Sequence, residues 1–163
     1  MTTVFVTSDW HLGHKNICKF REEFTSQEQH EELILKLYRQ YVTKRDIVWF
    51  LGDIIFKPDY LEVIKDLPGT KKLVLGNHDI TDTASLCLVF DEVHGFVKYK
   101  HTWLSHAPIH SDELRGKSNI HGHCHNHIVN DPRYYNVCLE HTEYRPKPYQ
   151  NILLELKERQ ANE

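Results

Sequence analysis

Thirteen histidines stand among 163 residues, and several of them fall beside carboxylates or amides just where an apolar run stops. Val4–Thr7 leads into Ser8-Asp9-Trp10-His11, residues 47–51 into Gly52-Asp53, and residues 73–75 into Gly76-Asn77-His78-Asp79. Two later pieces add Ser105-His106-Ala107 and the alternating run Ile120-His121-Gly122-His123-Cys124-His125-Asn126-His127. Asp9 and His11 are two apart, a spacing that in extended chain sets both side chains on one face. Together Asp9, His11, Asp53, Asn77, His106, His123 and His125 offer oxygen and imidazole donors without thiolate, a mix suited to Mn, Fe or Zn rather than to a sulfur cluster or calcium. Seven donors exceed one tetrahedral site. With a bridging carboxylate they suffice for two metals roughly 3.5–4 Å apart, the arrangement that activates water and clamps a phosphoryl group.

Such a site needs elements that bring distant residues together. The first three apolar runs are nearly continuous, as in strands buried on both faces, and helical spacing fills the stretches between them. Residues 26–44 carry Leu33, Leu37, Tyr38 and Tyr41 behind a Ser26 cap, and residues 58–67 enter at Pro58 and close at Pro68-Gly69. The result is a β-α-β-α-β unit, and in open α/β sheets functional groups gather beyond the carboxyl ends of the strands. Gly52 and Gly76 permit the sharp turns expected there. The second half, with short β candidates at residues 95–100, 102–105, from 120 onward and at 134–139, predicts a second sheet. For residues 152–158 periodicity leaves strand and short helix both open. In the histidine run, period two would set all four side chains on one side of a regular strand, while Gly122 allows a turn or bulge.

The length fits one domain spanning residues 1–163. A net charge of -3, from 20 Lys and Arg against 23 Asp and Glu, provides no overall basic field for nucleic acid. The amino terminus lacks a signal-peptide pattern and no apolar run is long enough to span a bilayer, so neither secretion nor a membrane partner is expected. Four cysteines at wide, irregular spacing read as free thiols in a reducing cytoplasm. Cytoplasmic location follows as the expectation.

The series Asp9-x-His11, Gly52-Asp53, Gly76-Asn77-His78-Asp79, His106 and Gly122-His123-x-His125 resembles, motif for motif and in order, the calcineurin-like metallophosphoesterases. The resemblance covers residues from about 4 to 139 and implies an α/β fold, a four-layer α-β-β-α sandwich of two mixed sheets. It also implies a dinuclear metal centre, with Asp9, His11, Asp53 and His125 on one ion, Asp53, Asn77, His106 and His123 on the other, and Asp53 as bridge. His78 becomes the catalytic residue that contacts phosphate and protonates or stabilises the leaving oxygen, with metal-activated hydroxide attacking in line. Asp79 braces the turn. Ser/Thr protein phosphatases of the superfamily continue their second motif as G-D-x-V-D-R-G, whereas Gly52-Asp53 is followed here by Ile54-Ile55-Phe56-Lys57. The chain is more similar to compact bacterial and phage-type phosphoesterases, which share the stretch from Asp9 to Ile17.

The expected activity is hydrolysis of a phosphodiester or a small nucleotide-like phosphate with two divalent ions, Mn foremost and Fe, Zn or Ni as alternatives. Asn77, His78, His14 and Asn16 are the candidate substrate contacts. Arg21, Arg115 and Lys117 are further candidates to line a phosphate cleft. His121 and His127 fall outside the implied ligand set, and His30, His94, His101, His110 and His141 have no motif support. Cys124 should point away from its flanking histidines if that segment is extended. Two other classes remain open: a non-catalytic interaction module on the same fold, and a nuclease, which needs a groove for a strand and would be favoured by clustering of Lys15, Lys19, Arg21, Arg115 and Lys117 beside the metals.

Overall fold

The computed structural model describes residues 1–79 and 82–162. Its first sheet is built from strands β1 (Val4–Thr7), β2 (Ile47–Phe50), β3 (Thr70–Val74) and β4 (Glu92–His94), all parallel, with the two-residue β9 (Lys147–Pro148) added antiparallel at the β1 edge, in the order β4-β3-β2-β1-β9. The second sheet runs β5-β6-β7-β8 through Val97–Tyr99, Thr102–Ser105, Ser118–His121 and Tyr134–Asn136. In it β5 is antiparallel and the other three are parallel. Two mixed sheets with helices are the expected α/β architecture.

Alternation along the central strands explains the layering. Phe5, Val48, Phe50 and Leu73 face one core, where α1 (Gln27–Tyr41), α2 (Leu61–Lys65) and α3 (Thr83–Leu86) contribute Ile34, Tyr38, Ile64 and Leu86. Their neighbours Val6, Trp49 and Val74 face the other core, against Leu104, Ile120 and Tyr135 of the second sheet. Helix α1 starts where Ser26 Oγ accepts a hydrogen bond from Gln29 N, the capping expected from its type.

Residues 149–161 form a helix, α4 (Tyr149–Ala161), which settles the open choice at 152–158. The stripe is Tyr149, Ile152, Leu153 and Leu156, at i, i+3, i+4 and i+7, and only a window that includes Tyr149 displays it. Helix α4 lies against β1, β8 and β9 and adds Tyr149, Ile152 and Leu156 to the core between the sheets. No described helix is long and apolar enough to cross a membrane.

The alternating histidine run is not a continuous strand. Strand β7 ends at His121, which is fully buried, and the chain then turns, with Cys124 N donating to Gly122 O and His127 N to Cys124 O. A Cβ on Gly122 would collide with Ser8 Oγ and Asp9 Oδ2, so the turn passes where only glycine fits. The four histidines therefore point in different directions, and the regular-strand alternative is replaced by the turn.

Candidate metal centre

The loops that leave β1, β2, β3, β6 and β7 converge at one end of the two sheets. Backbone pairing continues past the strand ends: Asp9 N donates to Gly52 O at 3.0 Å, His11 N to Asp53 O at 3.0 Å, and Gly122 N to His106 O at 2.8 Å. Asp79 closes the array, its two oxygens accepting from Asp53 N, Ile54 N and Gly76 N, each at 2.9 Å. It braces the turn, as expected. Burial raises its pKa, with those backbone donors opposing the shift.

Of three groups among the described residues two hold the expected donors, and the third joins His125 to Cys138 and Glu140. Asp9, His11 and His125 bring ligand atoms within 4.8 Å of one another, and so do Asp53, His106 and His123. In the first, Asp9 Oδ1 lies 3.5 Å from His11 Nε2 and 3.8 Å from His125 Nε2. In the second, His106 Nε2 lies 3.4 Å from Asp53 Oδ2, 2.9 Å from Asn77 Oδ1 and 3.2 Å from His123 Nδ1. His106 Nδ1 sits 2.7 Å from the Leu51 carbonyl, a contact that only an N–H satisfies, so in its neutral form the ring turns its Nε2 lone pair toward Asp53, Asn77 and His123. Either a proton on Nε2 or a metal ion meets that convergence. In the first group Asp9 Oδ1 and His11 Nε2 are buried with no hydrogen-bond partner. An unpartnered carboxylate oxygen and imidazole nitrogen side by side are costly unless a cation joins them, so the residues fit a divalent ion.

The electrostatics agree. Burial works against ionisation of Asp9, yet His11, the charge on His106, Ser8 Oγ at 2.5 Å and His123 N at 2.9 Å hold its carboxyl far below the usual range. Asp53 is likewise shifted down against burial, chiefly by His106, and also accepts from His78 N at 2.8 Å. His106 is disfavoured as a cation by burial but raised overall by the Asp53 and Asp9 carboxylates.

The backbone is strained at these positions. Asp9, His11, Asp53, His123 and His125 all have φ between 45° and 67°, the left-handed region that non-glycine residues rarely occupy. Such conformations cost of order 1–3 kcal/mol each and cluster at functional sites.

Beyond the two groups, the imidazole of His78 is exposed and stacks on Phe56 with ring centroids 5.0 Å apart. His14 lines the same cleft, with His11, Phe20, Phe56 and His125, whereas Asn16 does not and sits exposed at the start of the short Ile17–Lys19 turn. Cys124 lines this cleft too, because its segment is a turn rather than extended, but it belongs to neither donor group. All four cysteines are free thiols. Arg115 pairs with Glu113 at 3.0 Å beside Phe96 and Trp103, and Lys117 reaches over Trp103, both away from this cleft.

The sequence reading missed Glu140 and the arrangement behind it. Glu140 Oε1 is 3.0 Å from His125 Nδ1 and accepts from Arg21 Nε at 2.9 Å. Arg21, 1% exposed, also donates to the Asp9 carbonyl at 2.7 Å and lies 2.6 Å from His30 Nε2. Arg21 thus spends its donors on protein groups rather than on a phosphate. Despite burial, His125 and Arg21 bring the Glu140 carboxyl down to about 2. Cys138, also missed, is buried and donates from Sγ to Asp9 Oδ2 at 3.2 Å.

Two mixed sheets that gather Asp, His and Asn donors at their strand ends define a metallophosphoesterase class of protein. The chain belongs to the calcineurin-like phosphoesterase family, whose sequence pattern matches residues 2–159. It is 32% identical to the gene 66 protein of Mycobacterium phage L5, over 79% of this chain and 80% of that protein. An uncharacterised protein of Methanocaldococcus jannaschii is 30% identical, covering 90% and 86% of the two chains. A crystal structure of a protein of unknown function from Aquifex aeolicus superposes with a TM-score of 0.75 at 27% identity, over 93% of this chain and 98% of that one.

Proposed function

We propose that the protein hydrolyses a small phosphoester, a phosphodiester or nucleotide-type phosphate, at a dinuclear metal centre. The observation that carries this reading is the pair of donor groups, Asp9 with His11 and His125 and Asp53 with His106 and His123, in the first of which Asp9 Oδ1 and His11 Nε2 are buried with no hydrogen-bond partner. Asp9, His11, Asp53 and His125 would hold one ion, and Asp53, Asn77, His106 and His123 the other. Divalent ions at such a site lower the pKa of bound water towards about 7 and offset charge on the phosphoryl oxygens.

The chain's own residues do the rest. Asp9 and Asp53, stabilised by their hydrogen-bond donors, remain ionised and hold fixed negative charge among the donor groups. Asp79 and the paired backbone of the strand ends keep the donors in place without rearrangement during turnover. His78, anchored through its backbone N–H to Asp53, presents an exposed imidazole at the rim, suited to protonate the leaving oxygen. His14 lies within reach of the same cleft.

Mn(II)-loaded protein should hydrolyse p-nitrophenyl phosphate or its bis ester, and the native ion, Mn rather than Fe, Zn or Ni, follows from which restores turnover after chelation. Metal-replete protein that cleaves neither ester would refute the reading. The nuclease alternative loses support because Arg21 is buried and paired while Arg115 and Lys117 stand on other clefts. The scaffold alternative predicts no metal uptake, against which the retained donor set argues.

A further inference from the structure

Beside the donor groups lies a cleft of about 540 Å³, within the range that holds small organic ligands. Its wall is a run of rings. Phe20 lies edge-on to His14 at 5.8 Å between centroids, His14 to Phe56 at 4.7 Å, and Phe56 stacks on His78 at 5.0 Å and reaches His11 at the same distance. The series therefore starts at a metal-donor histidine and at the candidate acid, and ends at Phe20, a phenylalanine left 70% exposed. An exposed ring that continues the aromatic wall of a cleft gives an entering ligand an apolar face to cover.

The lining also carries Asn126 and His127, both exposed, with Ile17 and Cys124 beside them and Arg21 and Glu140 deeper in. The occupant must therefore be apolar on its faces, polar on its edges, and attached to a phosphate held at the donor groups. An acyl chain meets the first condition only, and a sugar phosphate lacks the planar face. A heteroaromatic base meets all three.

We propose that this cleft is a nucleobase subsite, with Phe20, His14 and Phe56 as its stacking wall, so that the substrate is a nucleoside phosphate. The proposal rests on the phosphoester reading above for the position of the phosphate, but base binding is measurable without turnover. Stacking on an aromatic side chain is sequence-tolerant and strong enough that alanine substitution loses roughly tenfold in affinity.

The test is binding of the non-hydrolysable 5′-methylenephosphonate analogue of 2-aminopurine riboside 5′-monophosphate to the Mn(II)-loaded protein, followed by base fluorescence, with the matching phosphonate analogue of ribose 5-phosphate as competitor. The nucleotide analogue should bind about tenfold or more tighter than the sugar analogue, with fluorescence quenched. Phe20→Ala, at an exposed position that the fold does not need, and separately Phe56→Leu should each shrink that ratio and relieve part of the quench. Equal affinity of the two ligands, or an undiminished ratio in both variants, would overturn the subsite. If the ratio holds and responds to the variants while no phosphoester is cleaved with any metal, the hydrolase reading fails and the base subsite stands. If esters are cleaved but the ratio is absent, the reverse follows.

Discussion

Glu140 and Arg21 form a buried ion pair, Oε1 to Nε at 2.9 Å, and the same carboxylate oxygen lies 3.0 Å from His125 Nδ1. The carboxylate fixes the ring so that Nε2 faces Asp9, and Arg21 fixes the carboxylate. A carboxylate behind a histidine ligand orients the ring and raises its basicity. Glu140→Gln should therefore weaken metal binding about 10- to 100-fold. Competition with a chelator indicator measures this directly, and wild-type affinity in the variant would show that His125 needs no such support.

His30 is fully buried and receives Arg21 Nη1 on Nε2, so it must be neutral in the folded chain. Burial first, then the Arg21 charge, brings its pKa down to about 3, against about 6.5 in the unfolded chain. Between those values the unfolded chain binds more protons, so stability is full above about pH 6.5 and falls as pH drops towards 3, by up to about 1.4 kcal/mol per pH unit. His121, buried and brought down to about 4, contributes with the same sign. Urea melts between pH 6.5 and 4.5 should show a shallower fall for His30→Gln, which keeps an acceptor for Arg21. Identical slopes would mean that His30 does not set this dependence.

Removing the His78 imidazole leaves its backbone N–H on Asp53, so the donor groups should persist. His78→Ala is expected to lose about 10²–10⁴-fold in kcat, the usual contribution of a general acid, with bound metal unchanged. Unchanged kcat would remove the assigned role, and metal loss would recast His78 as part of the centre.

Gly122→Ala tests the close approach of the histidine turn to Ser8 and Asp9. Overpacking of this order costs about 1–3 kcal/mol. A lowered denaturation midpoint and weaker metal binding should appear together, since the displaced atom is a hydrogen-bonded oxygen of Asp9. A variant as stable as the parent would show that the turn can move aside.

The donors were legible because each follows an apolar run that stops at a glycine or a polar residue, and parallel strands must deliver such ends to one place. Asp9, Asp53 and Asn77 could be read in this way, and the later histidines followed by motif order. Glu140 and His30 could not, since each acts through Arg21, a residue remote from Glu140 in sequence, and no local spacing records a contact made by folding. Arg21 itself drew attention for its charge, which pointed to phosphate, whereas burial turned that charge inward. For the four alternating histidines period two left a strand and a turn both open, and steric contact at Gly122 decides it by ending the strand at His121. Helix α4 was ambiguous only while Tyr149 stood outside the window.

The positive φ values at Asp9, His11, Asp53, His123 and His125 limit which residues can ever occupy these places. Asparagine, aspartate and histidine tolerate that backbone region, while β-branched residues do not. Exchange within this repertoire, Asp9→Asn or His123→Asn, should alter which ion is preferred and leave the loops intact. Threonine or valine would distort the chain before any question of coordination arose. Backbone shape thus shuts out β-branched residues at these donor positions, and retuning the centre for a different metal means choosing among the side chains that this backbone admits.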